Sequence, residues 1–461
     1  MCRCSRPVTL KKAFSALALA ALLAFFQAMA CAEISEGTED LLTGFEEEEA
    51  LEVPRASSSA PSFFDRFSGY AKILSVVNTT HNRSGAGGRD WQGLSSLRLE
   101  GQIEADFRMA AFKTFVSLKG FYDLSYGING RSNFSDSVLE EYEKELELQE
   151  AYIQGSLSGN IDLKLGRQVV VWGRSDNFRV TDVLNPLDNR QPGLVDIENL
   201  RLPLSMTKLD LFFGDWNLDL IAVHEHRYDK SPPTGHFFNP LPGPLPHEEL
   251  PSHNLENTEF GVELNGTFSG WDLSFYGARF FNDQARFVKG TPQKLTHDRL
   301  YMIGTSFSAA RVNLLYIAEL AHLRGLHFIN DEKAYNRSDF LIGIEYSGVT
   351  DTTISLDYVT RYLHDYKDVL DATPENPVRT DNAIACRITR TFCQEVLELE
   401  IFIQLNGESG QRGAMQRFTA QYDLTDNWLI KGGGLLYQPG NGPLSETGNI
   451  NQLFFELRLD F

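Results

Sequence analysis

Apolar and polar residues alternate along the end of the chain, from residue 449 to residue 461. Phe454 interrupts the polar set, which consists of Gln452, Glu456, Arg458 and Asp460. A period of two predicts a β-strand with one apolar face and one wet face. An edge strand this apolar would aggregate in water, whereas a closed barrel in a lipid bilayer pairs its edge with another strand. The apolar set consists of Leu453, Phe455, Leu457, Leu459 and Phe461.

The same alternation returns along the chain after residue 67. Between residues 97 and 109 the odd positions are mostly apolar, and the even positions carry charged or polar side chains. The opposite register would place arginines in lipid, at about 2–4 kcal/mol each near the bilayer midplane. The polar set therefore faces the lumen, and its candidate pore-lining members are Arg98, Glu100, Glu104 and Arg108.

Counting this pattern back from the C-terminus predicts eighteen strands, with sixteen as the alternative count. Short turn-forming links alternate with long links, as the periplasmic turns and external loops of outer-membrane barrels do. An even number of strands places both termini in the periplasm. The candidate strands are 67–78, 96–108, 110–122, 145–157, 161–172, 205–213, 216–225, 256–267, 271–280, 299–308, 312–321, 340–347, 353–360, 383–392, 395–405, 413–423, 427–437 and 450–461.

The predicted fold is therefore all-β: a porin-like, transmembrane, antiparallel up-and-down β-barrel of 16–18 strands over residues 62–461. A barrel of this width encloses an aqueous lumen unless loops fill it. A soluble sandwich or propeller would not require the strict alternation of short and long links, and no repeat of propeller length is present.

The first 32 residues have the pattern of a cleaved signal peptide. A basic start precedes an apolar run over residues 13–30, and Ala30, Cys31 and Ala32 form a small-residue cleavage site. The alternatives are a membrane anchor and a lipoprotein acylated at Cys31. Residues 33–61 follow as a flexible acidic linker, because a run of glutamates and then Ser and Pro cannot bury enough surface to fold. The linker is a solvated tail or a tether to a periplasmic partner.

The charge and the motifs narrow the function. A formal charge of -20 argues against nucleic acid, because binding to phosphates requires a basic face. The sequence contains no G-x-S-x-G, H-E-x-x-H, P-loop or C-x-x-C-H motif, so we expect no enzyme activity and no cofactor. An outer-membrane lipid-modifying enzyme is the minor alternative.

Half of the histidines fall in or beside one link. Imidazole with carboxylate suits metal binding, but these residues are scattered through a Pro-rich stretch. We expect an ordinary external loop and no metal site there. The five are His224, His226, His236, His247 and His253.

The most distinctive stretch begins with Gly166-Arg167-Gln168 and continues through Trp172-Gly173 to Asn185-Pro186-Leu187-Asp188. Prolines stiffen this long link between two predicted strands. We expect it to fold back into the lumen and narrow it. The alternative is an external loop packed over the mouth of the barrel. The candidate constriction residues are Arg167, Gln168, Arg174, Arg179, Asp182, Asp188 and Arg190.

Two resemblances follow from these residues. The stretch from Leu165 to about Arg227, with its GRQ-x3-WG start and NPLD turn, resembles a family of uncharacterised Gram-negative outer-membrane proteins. That family is known as a domain of unknown function, and its members are often encoded beside efflux transporters of the resistance-nodulation-division type. The aromatic C-terminal residue resembles the signal that barrel assembly machinery reads, with Phe455, Leu457, Leu459 and Phe461 as its residues.

The resemblance implies a barrel and a role in transport, and it assigns no catalytic residue. We therefore expect an outer-membrane channel that passes small or amphipathic solutes and cooperates with an efflux system. The alternative is a plugged barrel that serves as a structural or docking protein for a periplasmic partner. Acidic side chains outnumber basic ones in the lumen-facing set, which favours weak cation selectivity.

Overall fold

The computed structural model describes residues 67–81, 90–109, 111–239, 245–252, 254–288, 290, 293–329, 331–372, 377–442 and 450–461. The predicted signal peptide (1–32) and acidic linker (33–61) lie outside these residues. His253 also lies outside them.

Eighteen antiparallel strands form one closed sheet, so the higher of the two predicted counts is confirmed. β1 pairs with β2 on one side and with β21 on the other, which closes the barrel. The strands in chain order are β1 (Phe67–Asn78), β2 (Gly93–Met109), β3 (Phe112–Asp123), β4 (Lys144–Ser158), β5 (Ile161–Gln168), β6 (Leu204–Phe213), β7 (Trp216–Val223), β8 (His247–Glu249), β9 (Glu259–Phe268), β10 (Trp271–Phe281), β11 (Arg286–Val288), β12 (Lys294–Thr296), β13 (Arg299–Arg311), β14 (Leu314–Phe328), β15 (Asp331–Val349), β16 (Thr352–Leu363), β17 (Thr380–Phe392), β18 (Leu397–Asn406), β19 (Ala414–Asp423), β20 (Trp428–Gln438) and β21 (Gln452–Asp460).

Three of these strands lie outside the barrel sheet. β8, β11 and β12 form a small sheet of their own within the long links. Short helices occupy other links: Ser125–Ile128, Asp136–Tyr142 and Ile197–Leu200, with 3-10 turns at Arg131–Asn133 and Asp368–Ala372. None of the helices in the described part of the chain is long and apolar enough to cross a membrane.

Neighbouring residues on a strand point to opposite sides of the wall. In β14, Glu319 is 2% exposed, whereas the adjacent Leu320 is 47% exposed and faces outward. The register extends this division to the adjacent strands, because Glu319 pairs with Ser306 on β13 and with Leu341 on β15. We call the two sides the inward set and the outward set.

The rule of apolar outside and polar inside holds for one end of the barrel only. Near the long links, large apolar residues also occupy the inward set, and they are almost completely buried. They pack against the part of the chain that fills the lumen at this end. The prediction of a uniformly wet lumen is therefore wrong for this end of the barrel. The inward apolar residues include Leu204, Met206, Val223, Leu300, Met302, Leu341 and Val359.

The strands of the β14–β15 hairpin are much longer than the sequence pattern predicted. Residues 322–339 were expected to form a long link, but β14 continues to Phe328 and β15 begins at Asp331. Gly325, with a φ of 105°, forms a bulge in this extension. Polar residues face outward here and apolar residues face inward, which is the reverse of the pattern used to find strands.

Candidate functional site: a segment folded across the barrel

Residues 169–203, which connect β5 and β6, fold into the barrel instead of standing above it. We call them the inner segment. Their side chains and backbone contact inward residues on strands from β4 to β20. The contacts therefore extend around most of the inner circumference.

The two ends of the inner segment are tied together by one buried asparagine. The Asn185 side chain accepts a hydrogen bond from the Val170 backbone N–H at 2.9 Å and donates one to the Leu202 carbonyl at 2.8 Å. Asn185 is 0% exposed, so both bonds are protected from water. The asparagine of the NPLD turn thus closes the base of the segment.

Glycine at the start of the motif allows the chain to approach β4. Gly166 has a φ of 126°, and a Cβ there would lie 2.3 Å from the carbonyl oxygen of Ala151. Only glycine combines this conformation with this close approach. The bend ends the regular strand two residues later, at Gln168.

The first half of the segment is anchored on a buried carboxylate. Glu319 on β14 accepts hydrogen bonds from the backbone N–H groups of Arg174 at 2.6 Å, Ser175 at 3.0 Å and Thr181 at 3.3 Å. It also accepts the Thr181 hydroxyl at 3.0 Å. The negative charge is satisfied by four uncharged donors that converge on it.

A second carboxylate extends this anchor. Asp357 on β16 accepts the Ser175 hydroxyl at 2.8 Å and the Asn177 amide at 2.9 Å. Around these bonds, apolar residues of the segment pack against the inward apolar residues of the wall. They are Val170, Trp172, Phe178, Val180 and Leu184.

The second half of the segment is held by ion pairs. Asp196 pairs with Arg387 on β17 at 3.0 Å and with Arg417 on β19 at 2.5 Å. Both arginines also pair with Glu400 on β18, at 2.9 Å and 2.7 Å. Burial raises the pKa of the Asp196 carboxyl, but the two guanidinium groups outweigh it and the net pKa shift is downward.

Arg190 holds the second half to the opposite wall. Its guanidinium contacts Glu145 on β4 and Asp188, both at 2.6 Å, and donates to the Glu141 carbonyl at 2.7 Å. The Tyr142 hydroxyl donates to the Arg190 carbonyl at 2.7 Å. Burial raises the pKa of Asp188, but the bonds from Arg190 bring that pKa below its usual value.

An aromatic cluster covers this second half. The ring of His236 stacks on Tyr142 with centroids 4.2 Å apart, and it contacts Trp91 and Phe237 at 5.3 Å and 4.2 Å. His236 is 3% exposed. Burial lowers its pKa from 6.5 to about 3, so the imidazole is neutral at pH 7.

A family model described as "Protein of unknown function (DUF1302)" matches residues 12–393. The chain belongs to this family. The uncharacterised family named from the sequence is thereby confirmed, although nothing in the match assigns an activity. Among curated proteins no sequence matches this chain.

Several solved structures share the fold of this chain at low sequence identity. OccAB4 of Acinetobacter baumannii has a TM-score of 0.51 at 10% identity, with 86% of this chain and 97% of that chain covered. A BenF-like porin from Pseudomonas fluorescens Pf-5 has a TM-score of 0.51 at 8% identity, covering 86% and 98%. OccK1 (OpdK) of Pseudomonas aeruginosa has a TM-score of 0.50 at 8% identity, also covering 86% and 98%. The fold is that of outer-membrane porin-like barrels.

The structure brings five of the predicted constriction residues into the barrel of this DUF1302 protein. Arg174 donates to Asn265 and Ser274 on the wall. Within the segment, Arg179 and Arg201 share the carboxylate of Asp182 at 3.1 Å and 2.8 Å. Four of the five form ion pairs, whereas Arg174 contacts uncharged groups, and the role of the five in lining a pore stays a prediction. The five are Arg174, Arg179, Asp182, Asp188 and Arg190.

The remaining predicted residues lie on strands. On β2, Glu100 contacts Lys72 and Lys119, both at 3.2 Å, while Arg98 lies over the Phe121 ring. Gln168 is 0% exposed and donates to the Met206 carbonyl. Glu104 accepts a hydrogen bond from Gln102, Arg108 is exposed near a short turn, and Arg167 pairs with Glu225 at the upper end of β5.

The predicted assembly signal lies on the outward set of β21. Phe455 and Phe461 are exposed, at 51% and 56%. The backbone of Phe461 exchanges two hydrogen bonds with Gly69, at 2.9 Å and 3.0 Å, next to the seam of the barrel. A role in assembly stays a prediction.

The histidines of the long link do not converge on one point. His236 lies in the aromatic cluster, His224 bonds to Thr207 at 2.9 Å, and His226 contacts the Phe281 ring. In the part of the chain that the structure describes, no group of three or more His, Cys, Asp or Glu side chains could hold a metal ion.

The wall residues that receive the inner segment were not among the predicted site residues. Glu319 was available to it: the inward positions of β14 read Ile317, Glu319, Ala321 and Leu323, a lone carboxylate in an apolar set. Such a residue needs a buried partner. Its partners could not be found by alternation, because all four donors lie in a link without a hydrophobic period.

Proposed function

We propose that this DUF1302 protein is an outer-membrane channel for small or amphipathic solutes, and that the inner segment sets its width. The observation that carries the proposal is the set of contacts from Glu319, Asp357, Arg387 and Arg417 to the segment. A closed barrel of eighteen strands is wide enough for an aqueous path, and the segment occupies part of that path.

The fold supports a setting in the outer membrane. Outward residues such as Ile303 and Ile342 are 68% and 48% exposed, which suits contact with acyl chains. Short turns would then face the periplasm together with both termini, and the barrel assembly machinery would be a partner. The similarity of the fold to that of a BenF-like porin favours a channel rather than an enzyme.

Planar-bilayer recording of the purified full-length protein tests the channel. We expect discrete single-channel steps in KCl, and a small reversal potential of the sign for cation preference under a salt gradient. A membrane-inserted, folded protein that gives no steps would contradict the channel. An anion-selective reversal potential would contradict the inference from the acidic excess.

A plugged docking barrel is the second candidate. The two apolar clusters that fill the end of the lumen near the long links favour it, because tight packing excludes water. Absence of conductance together with capture of a periplasmic protein through residues 33–61 would support it. Cooperation with an efflux system rests on the resemblance alone and stays a prediction.

A further inference from the structure

We infer that the barrel has a lateral opening in its wall above the short strands β5–β7, and that an amphipathic molecule with a carboxylate head enters it from the membrane. The inference rests on the proposed channel function and deepens it by naming a route and a class of solute.

β5 and β7 are the shortest strands of the barrel. Each has 8 residues, whereas β4 has 15 and β14 has 15. At about 3.4 Å per residue and a tilt of about 40°, 8 residues rise about 21 Å. The apolar band of an outer-membrane barrel is about 25 Å tall, and a crossing strand needs about 9–11 residues. These two strands therefore end within the membrane.

The short strands leave the edge of β4 without a neighbour. β5 pairs with β4 only from Ala151 to Ser158. The upper part of β4, residues 144–150, pairs with β3 on one side. On its other side it has no strand partner among the described residues. A continuous hydrogen-bonded wall is thus interrupted at this level.

Ion pairs occupy the gap in place of backbone hydrogen bonds. Glu147 on β4 contacts Arg227, Lys230 at 2.9 Å and Arg167 at 3.5 Å. Arg167 also donates to Glu225, which accepts the Ser205 backbone N–H at 2.9 Å. Side-chain contacts of this kind can separate without unpairing any strand.

Polar side chains here continue the outward set. Arg167 has the strand parity of Leu163 and Leu165, and Leu165 is 45% exposed. On the adjacent strands, Ser205 pairs directly with Arg167, and the exposed His224 bonds to Thr207. Charged groups at membrane depth are costly and mark functional sites. A polar patch therefore lies beside lipid at the gap.

Apolar residues flank this patch on the lipid side. Leu146, Leu148 and Val171 are 75%, 43% and 59% exposed. The Nε of Arg167 is buried and donates to no described residue. An apolar chain would lie against the flanking residues, and a carboxylate head would take the place of Glu225 on the Arg167 guanidinium. This pairing of surfaces defines the class of ligand.

Photo-crosslinking in lipid bilayers tests the opening. The full-length protein is reconstituted and exposed to dodecanoate that carries a diazirine on its chain, with unlabelled dodecanoate as competitor. We expect saturable labelling of peptides that contain residues 144–150 and 168–172. Arg167→Met should reduce this labelling at least tenfold. Arg311→Met, which changes an exposed arginine at the other end of the wall, should leave it unchanged.

A second variant guards against misfolding. Val171→Trp places a ring in the opening and should also abolish the saturable labelling, while heat-modifiable mobility on a gel reports an intact barrel. Labelling that is spread evenly over all outward strands, or that survives both Arg167→Met and Val171→Trp, would overturn the opening. The crosslinking does not depend on conductance, so failure of the channel and failure of the opening are separate results.

Discussion

The two halves of the inner segment are held inside the barrel by different kinds of contact. Residues 169–184 are held by hydrogen bonds from uncharged donors to Glu319 and Asp357, and apolar side chains surround these bonds. Residues 185–203 are held by ion pairs from Arg190, Arg387 and Arg417, and an aromatic cluster covers them.

The difference predicts a fixed half and an adjustable half. Salt screens partly exposed ion pairs, whereas it acts only weakly on a buried carboxylate bound by backbone donors. Changes to the first half should therefore move the segment under all conditions. Changes to the second half should depend on salt, and on pH through the buried His236 ring that covers this half.

Glu319→Ala should have the largest effect. It removes four hydrogen bonds to a charged acceptor, about 6 kcal/mol at about 1.5 kcal/mol each. The first half should detach, so that conductance rises several-fold and a protease cuts within the segment. Glu104→Ala, a control on the inward set without a bond to the segment, should do neither. If the conductance and the protease sensitivity of Glu319→Ala are both unchanged, Glu319 does not fix the first half of the segment.

Arg417→Met should loosen the second half by about 3 kcal/mol, because it leaves Asp196 and Glu400 short of a partner in a buried setting. The reversal potential should shift further towards cations. Arg311→Met, at an exposed outward position, is the matched control. If both variants shift the potential equally, the cluster does not govern selectivity.

Acid should release the aromatic cluster. The pKa of His236 is about 3 in the folded protein and 6.5 in its unperturbed state, so the neutral ring contributes fully above pH 6.5. As the pH falls towards 3, a ring that has left the cluster binds a proton more readily than the packed ring does. The free energy that holds the ring in the cluster therefore falls by about 2 kcal/mol at pH 5. Near-ultraviolet circular dichroism should show the change. His236→Phe should abolish its pH dependence, and persistence of that dependence would assign the change to other groups.

Tyr437→Phe should have the smallest effect. The hydroxyl donates to the Pro192 carbonyl at 2.5 Å, and its loss removes about 1 kcal/mol. Amide hydrogen exchange should rise over residues 191–196 and remain unchanged over 173–181. A rise in both halves would show that the segment moves as one body.

Alternation predicted most of the barrel because lipid imposes it. Each of the eighteen strands was located from side chains such as Arg98 and Leu99, which face opposite media. The prediction failed where the outer medium is no longer lipid. In the extension of β14 and β15, His322 and Arg324 face outward while Leu323 and Leu326 pack inward.

The contacts of the inner segment were beyond a pattern of period two. The NPLD turn marked a special link, but Asn185 joins Val170 to Leu202, and no spacing rule gives that pairing. Phe454 could have been used as a sign, because it is an apolar residue in the polar set of the last strand. It lies inward, in the buried cluster that contains Trp91 and Tyr142. Other such exceptions in the inward set mark where loops enter a barrel.

The central claim is that the inner segment narrows the channel. It is tested most directly by single-channel recording of a variant in which a short glycine linker replaces residues 174–195. Trp172 and the strands on both sides remain, so the barrel should form. The account predicts a several-fold larger conductance and weaker ion selectivity than in the unaltered protein. A conductance equal to that of the unaltered protein would contradict it.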